Sequence, residues 1–258
     1  MVLKKKISKC RATLTINRPE IHNALNDELI DALDNAIAEM SADDSVRMIV
    51  LAGEGKSFCA GADLKWMKAV VNASVEENKA DAGRLVNLLN RMILCPKPIV
   101  ARVHGAVYGG GMGILAACDL VAAVPKASFG LTEVRLGLVP AMIFPFLLRK
   151  TAPQRLLRAA ITGERFRADQ AALMGLVDEV AEDLDSTIDG WQRAFLSSGP
   201  ESLGRVKELF NEVPKRSFAE AQQFALDMIA EARASDEGQE GMKAFLERRQ
   251  ASWRSDEQ

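Results

Sequence analysis

Three consecutive glycines, Gly109 to Gly111, stand between a strand pattern and an apolar helix pattern in the stretch HGAVYGGGMGILAACDLV. Glycine is entropically costly to fix, so such a run at a strand-to-helix junction indicates a tight turn or the close approach of another group. The N–H groups at this position belong to the unpaired donors of a helix N-terminus, which favour negative charge. The run matches neither the dinucleotide-binding nor the Walker glycine motif, so we interpret it as a site for a single oxyanion.

Strand and helix patterns alternate along the chain before the glycines and after them, which predicts an α/β fold. RATLTINRP alternates as a half-buried strand does, and Asn26 can cap the amphipathic helix that follows. VRMIVLAGEG, KPIVARVHGAV, LVAAV and ASFGL are typical of buried strands, GKSFCAGADLKWM of a loop, and residues 75–94 of a long polar helix. Because only helical periodicity remains from about residue 197, we expect a core over residues 1–196 and a helical region over residues 197–258.

Composition argues against several classes of function. The chain has 33 Lys and Arg against 35 Asp and Glu, a net charge of -2, so it has no positive field to attract nucleic acid or anionic lipid. No run approaches the roughly 18 apolar residues of a membrane span, and no apolar segment follows the basic start. The four cysteines form no C-x-x-C pair, as expected in a reducing compartment. We therefore expect a cytoplasmic protein with no nucleic-acid or membrane partner.

A second loop of small residues, FCAGADL, can complement the glycine run. A carbonyl that becomes an enolate needs two converging N–H donors, and Ala60 and Gly61 have no bulk to keep a ligand away from the main chain. Each loop taken alone is equally consistent with tight packing of a helix on a strand.

Together with FGLTEVRLGLVP, these loops resemble the crotonase, or enoyl-CoA hydratase/isomerase, superfamily. The resemblance runs from NRPEIHNALN to ITGERFRADQAALMGLVDEV and the terminal EGMKAFLERRQASW. It implies a crotonase-like spiral of ββα turns and a C-terminal helical region that forms a homotrimer or a hexamer of two trimers. The segment LTEVRLGLVPAM beside the glycines is similar to the branch that hydrates methylglutaconyl-CoA and related branched enoyl-CoA substrates.

The resemblance implies an acyl-CoA thioester substrate and a role for individual residues. Ala60 and Gly110 would donate their N–H groups to the thioester carbonyl oxygen, and Glu133 would act as the acid/base. Coenzyme A is part of this substrate, and neither a metal nor another cofactor is expected. The residues expected to contact the substrate or its CoA part are Ala24, Ala60, Gly61, Ala62, Asp63, Tyr108, Gly113, Ala141 and Arg248.

Hydratases of this family usually carry two glutamates, and the second of these positions is Gly113 here. Glu133 follows an apolar strand, so we expect burial to raise its pKa towards the range useful for proton transfer. One carboxylate is compatible with hydration of a 2-enoyl-CoA or with isomerisation of a 3-enoyl-CoA, in which Glu133 would carry a proton from C2 to C4. We favour hydration and expect space beside Gly113 for a bulkier or carboxylated acyl chain. A non-catalytic acyl-CoA-binding protein is the third alternative.

Other residues near these motifs have structural as well as functional interpretations. Tyr108 would line the acyl pocket or donate a proton, and His104 is interpreted as a hydrogen-bonded structural histidine. Asp119, in ACDL, is interpreted as structural. Ala141 replaces a glycine of the family's PGAGG, whose N–H is expected to hold a water. Arg248 would lie near the CoA phosphates or on a solvated helix face.

Overall fold

Two β-sheets of different size form the core of the structure, a computed structural model that describes residues 1–257, apart from the side chains of residues 69, 70 and 255–257. The strands are β1 Leu3–Ser8, β2 Arg11–Ile16, β3 Met48–Gly53, β4 Ser57–Cys59, β5 Ile99–Val103, β6 Ala106–Tyr108, β7 Leu120–Ala123, β8 Ser128–Gly130, β9 Arg165–Arg167 and β10 Glu179–Val180. The larger sheet has the order β1-β2-β3-β5-β7-β10, and the smaller sheet has the order β4-β6-β8-β9.

Helices cover these sheets and fill the space between them. The α-helices are α1 Asp27–Ala42, α2 Leu64–Val70, α3 Val75–Leu94, α4 Gly110–Ala117, α5 Phe144–Lys150, α6 Pro153–Thr162, α7 Ala168–Leu173, α8 Leu184–Ser197, α9 Pro200–Glu212, α10 Phe218–Ala234 and α11 Asp236–Leu246. Short 3-10 turns span Pro19–Ile21, Glu133–Leu136, Val213–Lys215 and Ser252–Glu257. The predicted cap of α1 is confirmed, because the Asn26 side chain accepts a hydrogen bond from the N–H of Leu29 at 3.1 Å.

Successive ββα units wind the chain into a spiral. In each unit the first strand joins the larger sheet and the second joins the smaller one, as in the pairs β3 and β4, β5 and β6, and β7 and β8. The strands β4, β6 and β8 are neighbours and run parallel, so their carboxyl ends lie side by side at one edge of the smaller sheet. The predicted α/β spiral is confirmed, and it determines where the functional loops meet.

The segment KPIVARVHGAV, predicted as one strand, is divided into β5 and β6 by a bend at Gly105. Gly105 has φ +65°, and a Cβ there would lie 1.9 Å from the carbonyl oxygen of Lys56. Only glycine fits this bend, which sends β5 and β6 into different sheets. The predicted loop GKSFCAGADLKWM likewise contains β4 and the start of α2.

The helices at the C-terminal end pack on the core. Leu184 and Ile188 of α8 cover the outer face of the larger sheet, against Val50 and Val100. Helix α9 is joined to the core by an ion pair of 2.7 Å between Lys207 Nζ and an Asp119 carboxylate oxygen. The predicted helical periodicity after residue 197 is confirmed, whereas a domain boundary at residue 196 stays a prediction. Within residues 1–257, we find no helix with the length and apolarity needed to cross a membrane.

Candidate active site

Three loops converge at the carboxyl ends of β4, β6 and β8. The first contains residues 60–63, the second contains Gly109 and Gly110, and the third ends on Glu133. An ideal Cβ on Gly109 would lie 3.8 Å from Cα of Gly61 and 3.3 Å from Oε1 of Glu133. The glycine run, the small-residue loop and the glutamate singled out in the sequence are therefore brought together.

The N–H of Ala60 is already used inside the protein. It donates to the carbonyl oxygen of His22 at 3.0 Å, so it is not available to a ligand. The next N–H, that of Gly61, donates to the Cys59 sulfur. The prediction that Ala60 is an oxyanion donor is therefore wrong, and the reason is a contact made far along the sequence.

The N–H of Ala62 is the free donor of this loop. Ala62 forms a parallel bridge with Leu25, in which the Leu25 N–H donates to the Gly61 oxygen at 2.7 Å and the Asp63 N–H donates to the Leu25 oxygen at 2.8 Å. In this pairing Leu25 directs both its N–H and its carbonyl oxygen toward the partner segment, whereas the Ala62 N–H points away from Leu25. Ala62 is exposed, and its N–H has no acceptor within the part of the chain that the structure describes.

The second free donor is the N–H of Gly110, the first residue of α4. Gly109 precedes it with φ +50°, a conformation that favours glycine. The Gly110 N–H, in the first turn of the helix, has no acceptor in residues 1–257. Leu25 connects the two donors, because its backbone pairs with the residues flanking Ala62 and its Cδ1 lies 2.7 Å from an ideal Cβ on Gly110.

Glu133 has the environment predicted for an acid/base. It begins a 3-10 turn after β8, and its Oε2 is buried with no hydrogen-bond partner among the described residues. Burial raises the pKa of the Glu133 carboxyl above its ordinary value, and a hydrogen bond from its own N–H opposes this only partly. An unpaired carboxylate oxygen in such a position is costly, and catalytic carboxylates are found in such surroundings.

The space predicted beside Gly113 is filled. An ideal Cβ on Gly113 would lie 2.3 Å from Cγ2 of Ile143 and 3.2 Å from Cδ1 of Leu89. Gly113 and Ile143 are both buried. The expectation of room for a bulkier acyl chain at Gly113 is therefore wrong, because the Ile143 side chain packs where the side chain of residue 113 would be. The branched, glutaconyl type of substrate stays a prediction.

The other predicted contact residues surround these loops at different depths. The Tyr108 hydroxyl shares a hydrogen bond of 3.0 Å with Ser128, and the Arg165 guanidinium lies over the Tyr108 ring. These contacts fix the Tyr108 side chain, and its role in the acyl pocket stays a prediction. Ala24 is buried, and Asp63 caps α2. Their contacts with CoA stay predictions.

Ala141 and Arg248 lie outside the hydrogen bonds and ion pairs that hold these loops. Ala141 is exposed just before α5, and its N–H has no acceptor in the described chain. Arg248 is exposed just after α11 with φ +54°. The neighbouring Arg249 is the one that forms ion pairs, with Glu240 and Glu247. The roles of Ala141 and Arg248 stay predictions.

The two histidines and Asp119 have internal partners. His22 shares a 3.1 Å hydrogen bond with Ser57, and a ring nitrogen of His104 lies 2.8 Å from the Gly55 oxygen. Asp119 accepts a hydrogen bond from the Ile99 N–H at 2.7 Å. In residues 1–257 no group of His, Cys, Asp and Glu is arranged to hold a metal ion.

The sequence reasoning missed Arg18 and Asn23. Both lie in NRPEIHNALN. The Arg18 side chain donates to Asp63, next to the Ala62 donor, and the Asn23 side chain accepts a hydrogen bond from the Arg18 N–H. The sequence did contain a signal for Asn23, an asparagine shortly after a proline. Asparagine tolerates the left-handed backbone conformation, and Asn23 adopts it with φ +58°.

Comparisons with known proteins establish the family of this chain. The model of the enoyl-CoA hydratase/isomerase family matches residues 6–256, and the chain belongs to that family. The short-chain-enoyl-CoA hydratase of Clostridium acetobutylicum is 32% identical over 243 residues, which are 92% of each chain. The crotonyl-CoA hydratase of Syntrophomonas wolfei is 32% identical over 246 residues, 94% of each chain. A crystal structure of an enoyl-CoA hydratase from Shewanella pealeana superposes with a TM-score of 0.95 at 32% identity and covers 98% of this chain and 96% of that one.

Proposed function

We propose that this chain is an enzyme that hydrates 2-enoyl-CoA thioesters, with Glu133 as the single acid/base and the N–H groups of Ala62 and Gly110 as the oxyanion donors. The observation that carries the proposal is the buried Oε2 of Glu133, which has no hydrogen-bond partner in the described part of the chain, beside two loops that each offer an N–H without an acceptor there. Two relatives that are 32% identical to this chain are named as hydratases, which supports the same reaction.

The reaction balances with one carboxylate. The Glu133 carboxylate takes a proton from water as the water oxygen bonds to C3 of the enoyl group. The electron pair of the double bond moves to the thioester oxygen, which becomes an enolate held by the Ala62 and Gly110 N–H groups. Glu133 then returns the proton to C2, which gives the 3-hydroxyacyl thioester and restores the carboxylate.

The two N–H groups act mainly on the charge that develops during the reaction. They are main-chain groups fixed by a β-bridge and by a helix N-terminus, so they need little reorganisation as the enolate forms. The positive end of the α4 dipole favours the same charge. A single donor of this type is worth about 10²–10³ in rate.

Isomerisation of a 3-enoyl-CoA is the second candidate. It is favoured by one observation, the apolar packing of Ile143 where a second carboxylate would stand, because moving a proton from C2 to C4 needs only one base. Incubation with crotonyl-CoA in ¹⁸O-labelled water distinguishes the two reactions. Hydration places the label in the product hydroxyl, whereas an enzyme that is only an isomerase leaves crotonyl-CoA without label.

The rate of hydration is expected to fall on the acidic side with the titration of Glu133. The carboxylate is the active form, so activity is complete above its pKa and falls about tenfold per pH unit below it. Because burial raises this pKa, half-maximal kcat is expected at a pH above the ordinary value of 4.5. The measurement is kcat against pH, with thermal unfolding at each pH as the control for folding. A midpoint at or below 4.5 would contradict the assignment of Glu133.

The C-terminal helices are expected to assemble the chain into trimers. Large apolar side chains remain exposed on α10 and α11, among them Phe218, Leu226, Phe245 and Leu246. Large apolar side chains exposed on two successive helices favour contact with another protein surface. Sedimentation equilibrium is expected to give three or six times the 28.1 kDa mass of the chain, and a monomer at micromolar concentration would contradict the expectation.

A further inference from the structure

A buried ion pair joins the two chain segments that carry the Ala62 bridge. The Arg18 guanidinium donates to Asp63 Oδ2 at 2.7 Å, and the two side chains are 12% and 9% exposed. Arg18 also donates to the carbonyl oxygen of Ala24. A buried ion pair of this kind adds little net stability compared with apolar residues of the same size, so its position beside the free N–H indicates a role in geometry.

Asn23 provides a second attachment for the segment that contains Arg18 and Leu25. Its side chain is fully buried, donates to the oxygens of Glu54 at 2.9 Å and Ser57 at 2.7 Å, and accepts from the Arg18 N–H at 2.8 Å. These three hydrogen bonds join Asn23 to Glu54 in the turn before β4, to Ser57 at the start of β4 and to the backbone of Arg18. The Leu25 backbone that pairs with Ala62 begins two residues further on.

Asp63 makes three connections next to the donor. Its N–H bonds to the Leu25 oxygen, its Oδ1 accepts the Lys65 N–H at 2.8 Å as the cap of α2, and its Oδ2 accepts from Arg18. Burial opposes the charged form, but the two hydrogen bonds to the carboxylate hold the pKa of Asp63 below its ordinary value. Asp63 is therefore ionised at neutral pH, and its charge holds the start of α2 against Arg18.

We propose that Arg18, Asn23 and Asp63 form an amide clamp, a set of positioning residues that aims the Ala62 N–H at the thioester oxygen. The inference rests on the proposed donor role of Ala62. The clamp touches no reacting atom, and it acts by holding the peptides on both sides of Ala62. Because a small misplacement of a catalytic donor can cost about 10²-fold, loosening the clamp is expected to affect kcat more than KM.

The carbonyl stretch of a bound substrate reports the donors directly. In the Glu133→Gln background, crotonyl-CoA labelled with ¹³C at the thioester carbonyl is expected to show a stretch at lower frequency than in water. Adding Asp63→Asn keeps a cap for the Lys65 N–H, since Asn is as good a cap as Asp, but removes the ion pair. This variant and Arg18→Met are each expected to reverse a large part of the frequency shift. In the active enzyme each is expected to lower kcat about 10-fold or more with a smaller change in KM.

Two further variants separate positioning from general stability. Lys207→Met breaks the distant ion pair between Lys207 and Asp119. That pair has the same 2.7 Å length as the pair of Arg18 and Asp63, and Lys207 is 12% exposed, like Arg18. This variant is expected to change neither the carbonyl stretch nor kcat. Arg18→Lys keeps the charge and is expected to recover part of the loss seen in Arg18→Met. A shift that is present in Glu133→Gln but unchanged by Asp63→Asn and Arg18→Met would overturn the clamp alone. The absence of any shift in Glu133→Gln would overturn the Ala62 donor and the clamp together.

Discussion

Glu133→Gln is expected to lower kcat for hydration about 10³-fold or more while the protein remains folded. Glutamine keeps the size of the side chain but can neither take a proton from water nor return one to C2. The residual rate would come from the two N–H donors and from substrate binding alone. The measurement is the loss of the enoyl absorbance of crotonyl-CoA under saturating conditions.

Stability provides the control for this variant. Because the folded state raises the pKa of Glu133, the folded protein binds the proton more tightly than the unfolded chain, and ionisation at neutral pH costs stability. Glu133→Gln is therefore expected to unfold at the same temperature as the parent or a higher one. Glu39→Gln, at an exposed glutamate paired with Lys5, is the matched surface change and should leave kcat unaltered. A Glu133→Gln enzyme with near-parental kcat would refute the assigned base.

Gly113→Glu is expected to destabilise the fold by about 3–5 kcal/mol, roughly 10 °C in Tm. The new Cβ would lie 2.3 Å from Ile143 Cγ2, and the carboxylate would be buried without a partner. The variant thus tests whether the second carboxylate has been replaced by apolar packing. The measurement is thermal or denaturant unfolding, and a stable, fully folded Gly113→Glu protein would show that the packing does not exclude it.

A double-mutant cycle isolates the steric part of this effect. Gly113→Ala is expected to be destabilising, and Ile143→Ala to cost about 2–5 kcal/mol by leaving a cavity. The double variant is expected to cost less than the sum of the two single variants, by about 1 kcal/mol or more. The reason is that Ile143→Ala removes the Cγ2 that meets the new Cβ. Gly83→Ala is the control, because Gly83 is also helical but a Cβ there meets nothing within 4 Å. That change is expected to stabilise by up to about 1 kcal/mol.

The regular parts of the fold could be predicted because local patterns determine them. The helix over residues 75–94 and the strands at LVAAV and ASFGL are where the periodicity places them. The division of KPIVARVHGAV could not be predicted, since the bend lies at a glycine, Gly105, whose lack of a side chain is required by the distant Lys56 carbonyl. The same holds for β4, which is too short to show a period and exists through its pairing with β6.

The site was predictable by residue type and only partly by position. Glycines, small residues and one glutamate indicated an oxyanion site, and the structure brings those three motifs together. Which of three small residues offers its N–H could not be predicted, because His22 and Leu25 decide it by bonding to the backbone around Ala60 and Ala62. The packing at Gly113 likewise depends on Ile143, a residue far along the chain.

The most direct test of the proposed oxyanion site is a crystal structure of the Glu133→Gln protein with crotonyl-CoA bound. We predict a thioester oxygen about 2.7–3.1 Å from the nitrogens of both Ala62 and Gly110, with the residue 133 side chain facing C2 and C3. A thioester oxygen bonded to neither nitrogen, or lying against Ala60 in place of Ala62, would contradict the proposal.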